Sequence, residues 1–141
     1  MAITQTLCTS FKVELLTGTH NFTSDTFKIA LYTSSAAINA ETTAYSSTGE
    51  VSGTGYTAGC KVLTVASATP TSSGTTAFVS FNNISWASST FTARGALIYN
   101  SSKSNKAVAV LDFGADKTAS GSTFSVTFPA ANSSAAVVRI S

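Results

Sequence analysis

Apolar and polar residues alternate most clearly between residues 90 and 114, where two apolar runs flank a short polar turn. These runs are Phe91–Tyr99 and Ala107–Phe113. In the second run every second residue is apolar, which is the period of a β-strand with one buried face. The two runs therefore predict a β-hairpin that turns around Asn100–Asn105.

Shorter segments with similar alternation predict the remaining strands, and Gly, Ser, Asn and Asp residues separate them. We assign these strands to Thr26–Thr33, Cys60–Ser67, Thr75–Asn82, Ser122–Pro129 and Ala135–Ile140, with Ile84–Trp86 continuing the third after a bulge. The residues GADKTASGS, which follow the hairpin, predict a turn, and Arg94-Gly95 predicts a β-bulge. About seven to eight short strands indicate an all-β fold, a mainly antiparallel β-sandwich or barrel.

The N-terminal segment from about residue 6 to residue 17 is the one good helix candidate. Leu7, Phe11 and Leu15 are spaced four residues apart and share one face of such a helix. Gly18 follows at the position where glycine commonly ends a helix. We therefore predict one short N-terminal α-helix, whose apolar stripe packs on the end of its own sheet or on a neighbouring subunit.

The longest irregular stretch covers residues 34 to 59 and contains Tyr45, Glu50 and Tyr56 among small residues. Loops longer than about 12–15 residues are uncommon in compact domains unless they are functional or disordered. Tyrosine suits contact surfaces, because it supplies area at a low cost in entropy. Two interpretations stay open: an arm that touches a partner, or an Ω-loop folded back on its own domain.

Composition favours a single domain over residues 1–141 with an unusual surface. Charged residues make up 10% of the chain, against roughly 25% in typical soluble domains. Ser and Thr take their place and make up about a third of the residues. A surface so poor in charge favours a subunit of an assembly over a stable extracellular β-protein. The net charge of +2 is too small to indicate a nucleic-acid partner.

Neither a membrane nor a metal is expected as a partner. No apolar run has the length of a transmembrane helix, and MAITQTLCTSF lacks the basic and apolar regions of a signal peptide. We expect Cys8 and Cys60 to be reduced, with a bridge between them as the alternative. Two cysteines and one histidine do not make a zinc site, and no cofactor is expected.

Residues with catalytic potential have simpler explanations, so we expect no enzyme. His20, Ser24 and Asp25 lie in one short segment and rarely form a triad from there, which favours a surface or capping histidine. Asp112 and Asp116 are interpreted as turn residues rather than an acid–base pair or a calcium site. Trp86 is expected in the core, with a sugar-stacking platform as the alternative.

The phrases that indicate a family are spread over most of the chain, from about residue 11 to residue 140. They are SFKVELLTGTHNF, DTFKIALYTSSA, TTAYSSTGEVSGTGYTAG, TARGALIYNSS, AVAVLDFG and FSVTFPAA. Together they resemble a family of small virion-associated structural proteins of tailed bacteriophages. Cys60 departs from the glycine expected in a GYTAGGK-like phrase, which puts a tight glycine turn there in doubt. The resemblance implies a structural role in the virion and supplies no catalytic residues.

The function expected from these features is that of a capsid decoration or cement protein. Many copies would pack against other virion proteins, either the major capsid protein or neck and tail proteins, and would form a homo-oligomer within the particle. A neck, collar, tail or fibre-associated subunit is the alternative, and a carbohydrate- or receptor-binding module is a second one. The predicted partner contacts are Phe11 and Leu15 on the helix and Tyr45, Glu50 and Tyr56 in the loop.

Overall fold

The computed structural model describes residues 3–66 and 69–141, and within these ranges the chain forms one helix and eight strands. In chain order they are β1 Thr6–Leu7, α1 Thr9–Leu16, β2 Phe27–Tyr32, β3 Lys61–Val62, β4 Thr71–Ser73, β5 Thr76–Val79, β6 Ile84–Asn100, β7 Lys106–Val126 and β8 Val138–Ile140. A five-stranded sheet has the order β1-β7-β6-β2-β3, and a three-stranded sheet has the order β4-β5-β8. Strands within both sheets pair antiparallel. The predicted all-β class with one short helix is confirmed.

The hairpin of β6 and β7 is the centre of the larger sheet. The chain reverses over residues 101–105, and Asn100 pairs with Lys106 at the closed end. Ser104 and Asn105 have φ angles of 55° and 58°, the left-handed conformation that Asn tolerates better than most residues. The predicted hairpin and its turn are therefore confirmed, but its strands are much longer than predicted.

The predicted turn at GADKTASGS is wrong, because β7 continues through these residues. Its glycines and aspartates produce irregularities in the strand instead of a chain reversal. The pairing moves from Gly95–Asp112 to Ala93–Lys117, so residues 113–116 bulge out opposite one residue of β6. The bulge predicted at Arg94-Gly95 lies at this point and is confirmed. A second irregularity lies at Gly121, between the pairs Ser89–Ser122 and Thr90–Ser120.

The large bulge divides the hairpin into two parts that differ in burial. We define the near half as residues 95–100 and 106–112, beside the closed end, and the far half as residues 84–93 and 117–126. All residues from Gly95 to Asn100 are buried. In the far half of β6, buried residues such as Trp86 and Phe91 are interspersed with exposed Ser and Thr. A Cβ at Gly95 would lie 2.5 Å from the backbone oxygen of Leu111, so the two strands require glycine at this boundary.

Helix α1 is shorter than predicted at its N-terminal end. Thr6 and Leu7 pair with Val110 and Ala109 as strand β1 instead of joining the helix, since the backbone edge of β7 is available there. The C-terminal end agrees with the prediction. Gly18 has a φ angle of 75°, its N–H donates to Leu15 O, and the Thr19 N–H donates to Glu14 O. This pair of bonds is the Schellman ending for which glycine is favoured.

The stretch from residue 34 to residue 59 folds back on its own domain, as the second interpretation expected, and its contact with a partner stays a prediction. Its backbone bonds reach three separate parts of the larger sheet: Val51 N donates to Leu31 O, Tyr45 N to Asn105 O, and Thr90 N to Thr54 O. Ala36, Ile38 and Val51 are buried in the core. The loop therefore acts as a cover on the sheet.

The remaining strands are shorter than the sequence predicted. Residues 26–33 are confirmed as β2 almost in full, whereas the predicted strand at 60–67 contains β3 and an isolated bridge from Val65 to Phe81. Ser67, its predicted last residue, lies outside the described residues. Strand β4 was not predicted, because its residues are all polar and exposed. The core is one continuous cluster that includes residues from both sheets, α1 and the loop.

Candidate interaction surface

The helix residues predicted to contact a partner occupy different environments. Phe11 is 0% exposed, and its ring packs against the rings of His20 and Phe22 inside the domain. No part of Phe11 is therefore at the surface of this chain. Leu15 is half-buried and lines a groove at the surface. Its contact with a partner stays a prediction.

The loop residues predicted to contact a partner instead contact one another. The Glu50 carboxylate accepts hydrogen bonds from the hydroxyls of Tyr45 and Tyr56, both at 2.6 Å, and from the Gly59 N–H at 2.8 Å. Tyr45 also stacks on Tyr99, with 4.8 Å between ring centroids. Tyr45, Glu50 and Tyr56 are all half-buried. We call Tyr45, Glu50, Tyr56 and Tyr99 the Glu50 cluster; it fastens the loop to β6, and partner contact by its exposed edges stays a prediction.

Burial and Glu50 change the acid–base behaviour of every tyrosine in the chain. Burial is the main cause that raises the pKa of Tyr99, to about 12, and nearby Glu50 adds to it. Burial likewise raises the pKa of Tyr32, Tyr45 and Tyr56 well above the usual value near 10, with Glu50 again contributing. These hydroxyls therefore remain protonated donors at neutral pH.

Trp86 is a core residue, as expected, and is not available for stacking on a sugar. It is 1% exposed, and its indole N–H donates to the Cys60 sulfur at 2.8 Å. Cys60 itself has a φ angle of 45°, so the backbone takes the left-handed conformation that favours glycine. The turn implied by the glycine of the related phrase is thus present although the side chain differs. Cys8 and Cys60 are both free cysteines, and their reduced state stays a prediction.

His20 is the centre of a buried polar network, and its expected place at the surface is wrong. Its side chain is 0% exposed, because Phe11 and Phe27 cover the ring. Nε2 lies 2.9 Å from Glu14 Oε1, and Nδ1 lies 3.0 Å from Asn100 Nδ2. The same Asn100 amide donates to Asp25 Oδ2 at 2.8 Å.

Two lysines of the hairpin turn close this network at its outer side. Lys106 Nζ lies 3.2 Å from Glu14 Oε2, and Lys103 Nζ lies 3.7 Å from Asp25 Oδ1. Burial acts to raise the pKa of Asp25, but the hydrogen bonds from Asn100 and Asn21 and the charge of Lys103 outweigh it and lower the pKa. We call Glu14, His20, Asp25, Asn100, Lys103 and Lys106 the His20 network. It joins α1 and the segment after it to the tip of the hairpin.

The two aspartates considered for acid–base chemistry do not act as a pair. Asp112 accepts from the Gly114 N–H at 2.9 Å and from Arg94 Nε at 3.1 Å. The Gly114 N–H is the main cause that lowers the pKa of Asp112; partial burial opposes it, and Arg94 adds to the lowering. Asp116 is exposed in the large bulge. The role of Asp112 is therefore to shape the bulge.

An apolar groove lies where the end of α1 meets the smaller sheet. It has a volume of about 180 Å³ and is lined by Leu15, Phe22, Pro70, Ala77, Phe78, Val79, Val138 and Ile140. Ile140 is 57% exposed, and Leu16, next to Leu15 on the helix, is 90% exposed. All eight lining residues are apolar. We call the groove together with Leu16 the apolar groove surface. Of its residues, only Leu15 was predicted from the sequence to contact a partner.

Residues 3–66 and 69–141 contain no group of three or more His, Cys, Asp or Glu side chains placed to hold a metal ion. None of the helices in the described part of the chain is long and apolar enough to span a membrane.

The comparisons with known proteins return no relatives. No family model, no curated protein and no solved structure matches the chain.

Proposed function

We propose that the protein is a structural subunit of a bacteriophage particle, which packs in many copies against other virion proteins. The observation that supports this most directly is the apolar groove surface. Leu16 and Ile140 expose large aliphatic side chains to water beside an apolar groove, on a chain in which only 10% of residues are charged. Exposed apolar surface of this kind is typical of a protein–protein contact.

The resemblance of the sequence to virion-associated proteins supports the virion as the location of the protein. Among the roles in a virion, we favour that of a capsid decoration protein. In such a role each copy needs only a modest contact, because many simultaneous contacts give strong overall attachment. The side chains capable of acid–base chemistry also have structural partners. Glu50 holds the loop, His20 joins the helix to the hairpin, and Asp112 shapes a bulge. These roles are consistent with a subunit that acts by packing.

The neck, collar or tail remains the alternative position in the particle. The structure offers no specific support for a carbohydrate-binding module, because the side chain proposed as its platform, Trp86, is buried. Copy number separates the first two positions. A number on the order of hundreds per particle indicates the capsid, whereas a small closed ring indicates the neck or tail.

The experiment that tests this proposal places a charge on the apolar groove surface. Ile140→Lys and Leu16→Lys are compared with Val62→Lys, a matched control at a site 56% exposed on β3. Incorporation into particles is measured by quantitative mass spectrometry, after circular dichroism has shown that each variant is folded.

We expect the two groove variants to reduce incorporation about tenfold or more, which corresponds to about 1.4 kcal/mol of binding free energy, and the Val62 control to be incorporated normally. Unchanged incorporation of both groove variants would rule out this surface as the contact. Absence of the wild-type protein from particles would overturn the proposed function itself.

A further inference from the structure

The His20 network determines which protons the histidine ring holds in the folded chain. The Asn100 side chain has both of its amide protons committed, one to Asp25 and one to His20 Nδ1. Its oxygen accepts the Ser102 N–H at 3.0 Å. Nδ1 must therefore be an acceptor, so the ring is neutral and carries its proton on Nε2, facing Glu14.

A second proton on the ring would conflict with this arrangement. Nδ1–H would point at the Asn100 NH₂ group, donor against donor. Rotation of the Asn100 amide does not resolve the conflict, because its oxygen would then face the Asp25 carboxylate and its NH₂ group would face the Ser102 N–H. The contact between His20 and Asn100 has to break instead.

The other contacts of the ring respond in the opposite direction. Nε2–H continues to donate to Glu14, and a charge on the ring strengthens this bond, because charge-assisted hydrogen bonds are stronger than neutral ones. The remaining charged groups around the ring are Asp25, Lys103 and Lys106, which face it through Asn100 or through Glu14. Phe11 and Phe27 cover its faces and contribute no charge.

We propose that His20 is a proton-controlled latch between helix α1 and the tip of the hairpin. The neutral ring bridges Glu14 to Asn100; the protonated ring stays with Glu14 and releases Asn100 and the turn at residues 101–105. The latch deepens the proposed function and rests on it only for its consequence: α1 presents Leu15 and Leu16 of the apolar groove surface, so its attachment to the sheet becomes sensitive to acid.

The first test reads the tautomer directly by nitrogen NMR of the wild-type protein. The chain contains a single histidine, so its ring signals need no assignment by mutation. At about pH 8 we expect the proton on Nε2 alone. A ring protonated on Nδ1 would overturn the proposal, and this result does not depend on the folding of any variant.

The second test follows the tip of the hairpin as the pH is lowered from about 8 to about 5, the range in which histidine commonly changes charge. After correction for the intrinsic pH dependence of exchange, we expect the Ser102 amide to exchange about two- to tenfold faster, the effect of one net hydrogen bond. The Thr19 amide, which bonds within the helix ending, should keep its protection. Equal changes at Ser102 and Thr19 would indicate general loosening and contradict a latch.

The matched control is His20→Gln, whose amide can donate to Glu14 and accept from Asn100 as the neutral ring does. We expect it to keep the fold and to lose the response of Ser102 to pH. An unchanged response in this variant would assign the effect to carboxylates and overturn the proposal. These measurements use purified protein, whereas the groove variants are tested in particles at one pH, so either idea can fail without the other.

Discussion

The near and far halves of the β6–β7 hairpin belong to the same two strands and yet differ in what covers them. In the near half β2 pairs with β6, β1 pairs with β7, and the 34–59 loop and α1 lie against them, so that residues 95–100 are all buried. In the far half β6 pairs with the segment 117–126, and the 34–59 loop covers only one face, through the Thr54–Thr90 bridge and through Tyr56, which packs against Trp86 and Phe91. One face of the far half remains exposed and carries Ser and Thr.

The difference shows that alternation in a sequence reports one buried face, whereas burial of the second face depends on distant segments. In the near half the second face carries Ala96, Ile98 and Ala109, and all three are buried. The far half keeps Thr90 and Thr92 at the equivalent outward positions. We therefore expect the near half to contribute more to stability than the far half, which leaves one face to solvent.

Raising the pH should have the largest effect and should act first on the near half, because it contains Tyr99, on which Tyr45 stacks, and pairs with Tyr32 through Gly95. Folded tyrosines hold their protons to a higher pH than unfolded ones, because their pKa values are raised. Their stabilising contribution is complete below about pH 10 and falls above it, by up to about 1.4 kcal/mol per pH unit for each tyrosine. Tyrosinate absorbance should therefore rise together with loss of circular dichroism. Ionisation of the tyrosines in a fully folded chain would contradict this.

The second-largest effect is expected from truncation of a buried side chain in the near half. Leu97→Ala in the near half removes a side chain that is 0% exposed and should lower the free energy of unfolding by about 2–5 kcal/mol. Thr92→Ala, on the exposed face of the far half, is the matched control and should change it by less than about 0.5 kcal/mol. Urea denaturation measures both. Similar losses would mean that the exposed face of the far half is as important for stability as the buried side chains of the near half.

The boundary between the halves should tolerate no Cβ. Gly95→Ala would place a methyl group 2.5 Å from Leu111 O and 2.9 Å from Ile3 Cγ2, so the strands must move apart at a cost of about 1–3 kcal/mol. Gly114→Ala is a less crowded comparison, since nothing lies within 4 Å of its Cβ, although its φ of 80° disfavours alanine. Thermal melting of both variants separates crowding from backbone preference. A stable Gly95→Ala would show that the near half adapts easily.

The smallest effect is expected from the acid side, at the bulge between the halves. The pKa of Asp112 is lowered in the folded state, so its contribution is present above the usual carboxyl range and is lost as the pH falls through it. Because the side chain is partly exposed, the contribution is small. Asp112→Asn should therefore be slightly less sensitive to acid than the wild type in unfolding measured at several pH values. An identical acid dependence in the variant and the wild type would show that the Asp112 carboxylate does not stabilise the bulge.

Local signals in the sequence were sufficient for the hairpin, β2, the bulge at Arg94-Gly95 and the end of α1, because each depends on neighbouring residues. The GADKTASGS segment shows the limit of such signals. Gly and Asp permit both turns and bulges, and only pairing with β6, some 25 residues away, decides between them. Strand β1 was missed for a similar reason, since its partner on β7 lies about a hundred residues further along the chain.

The candidate site was less predictable than the fold. The tyrosines and Glu50 were found, but their partners turned out to be one another, and the spacing of residues in a loop does not reveal that. His20 was predicted to lie at the surface, because the residues near it in the sequence give no sign of its contact with Asn100. Asn100 lies 80 residues away. The apolar groove combines α1 with β5 and β8, and only Leu15 stood out from its local pattern.

The contacts of the N-terminal strand also set an order of events during synthesis. The Asp112 N–H donates to Gln5 Oε1, and Thr6 pairs with Val110, so β1 cannot pair with β7 until residues up to 112 have left the ribosome. At about 5–20 residues per second this is a wait on the order of ten seconds. The hairpin closes locally as soon as β7 emerges. Within the larger sheet, β1 is thus synthesised first, but its partner strand is synthesised last.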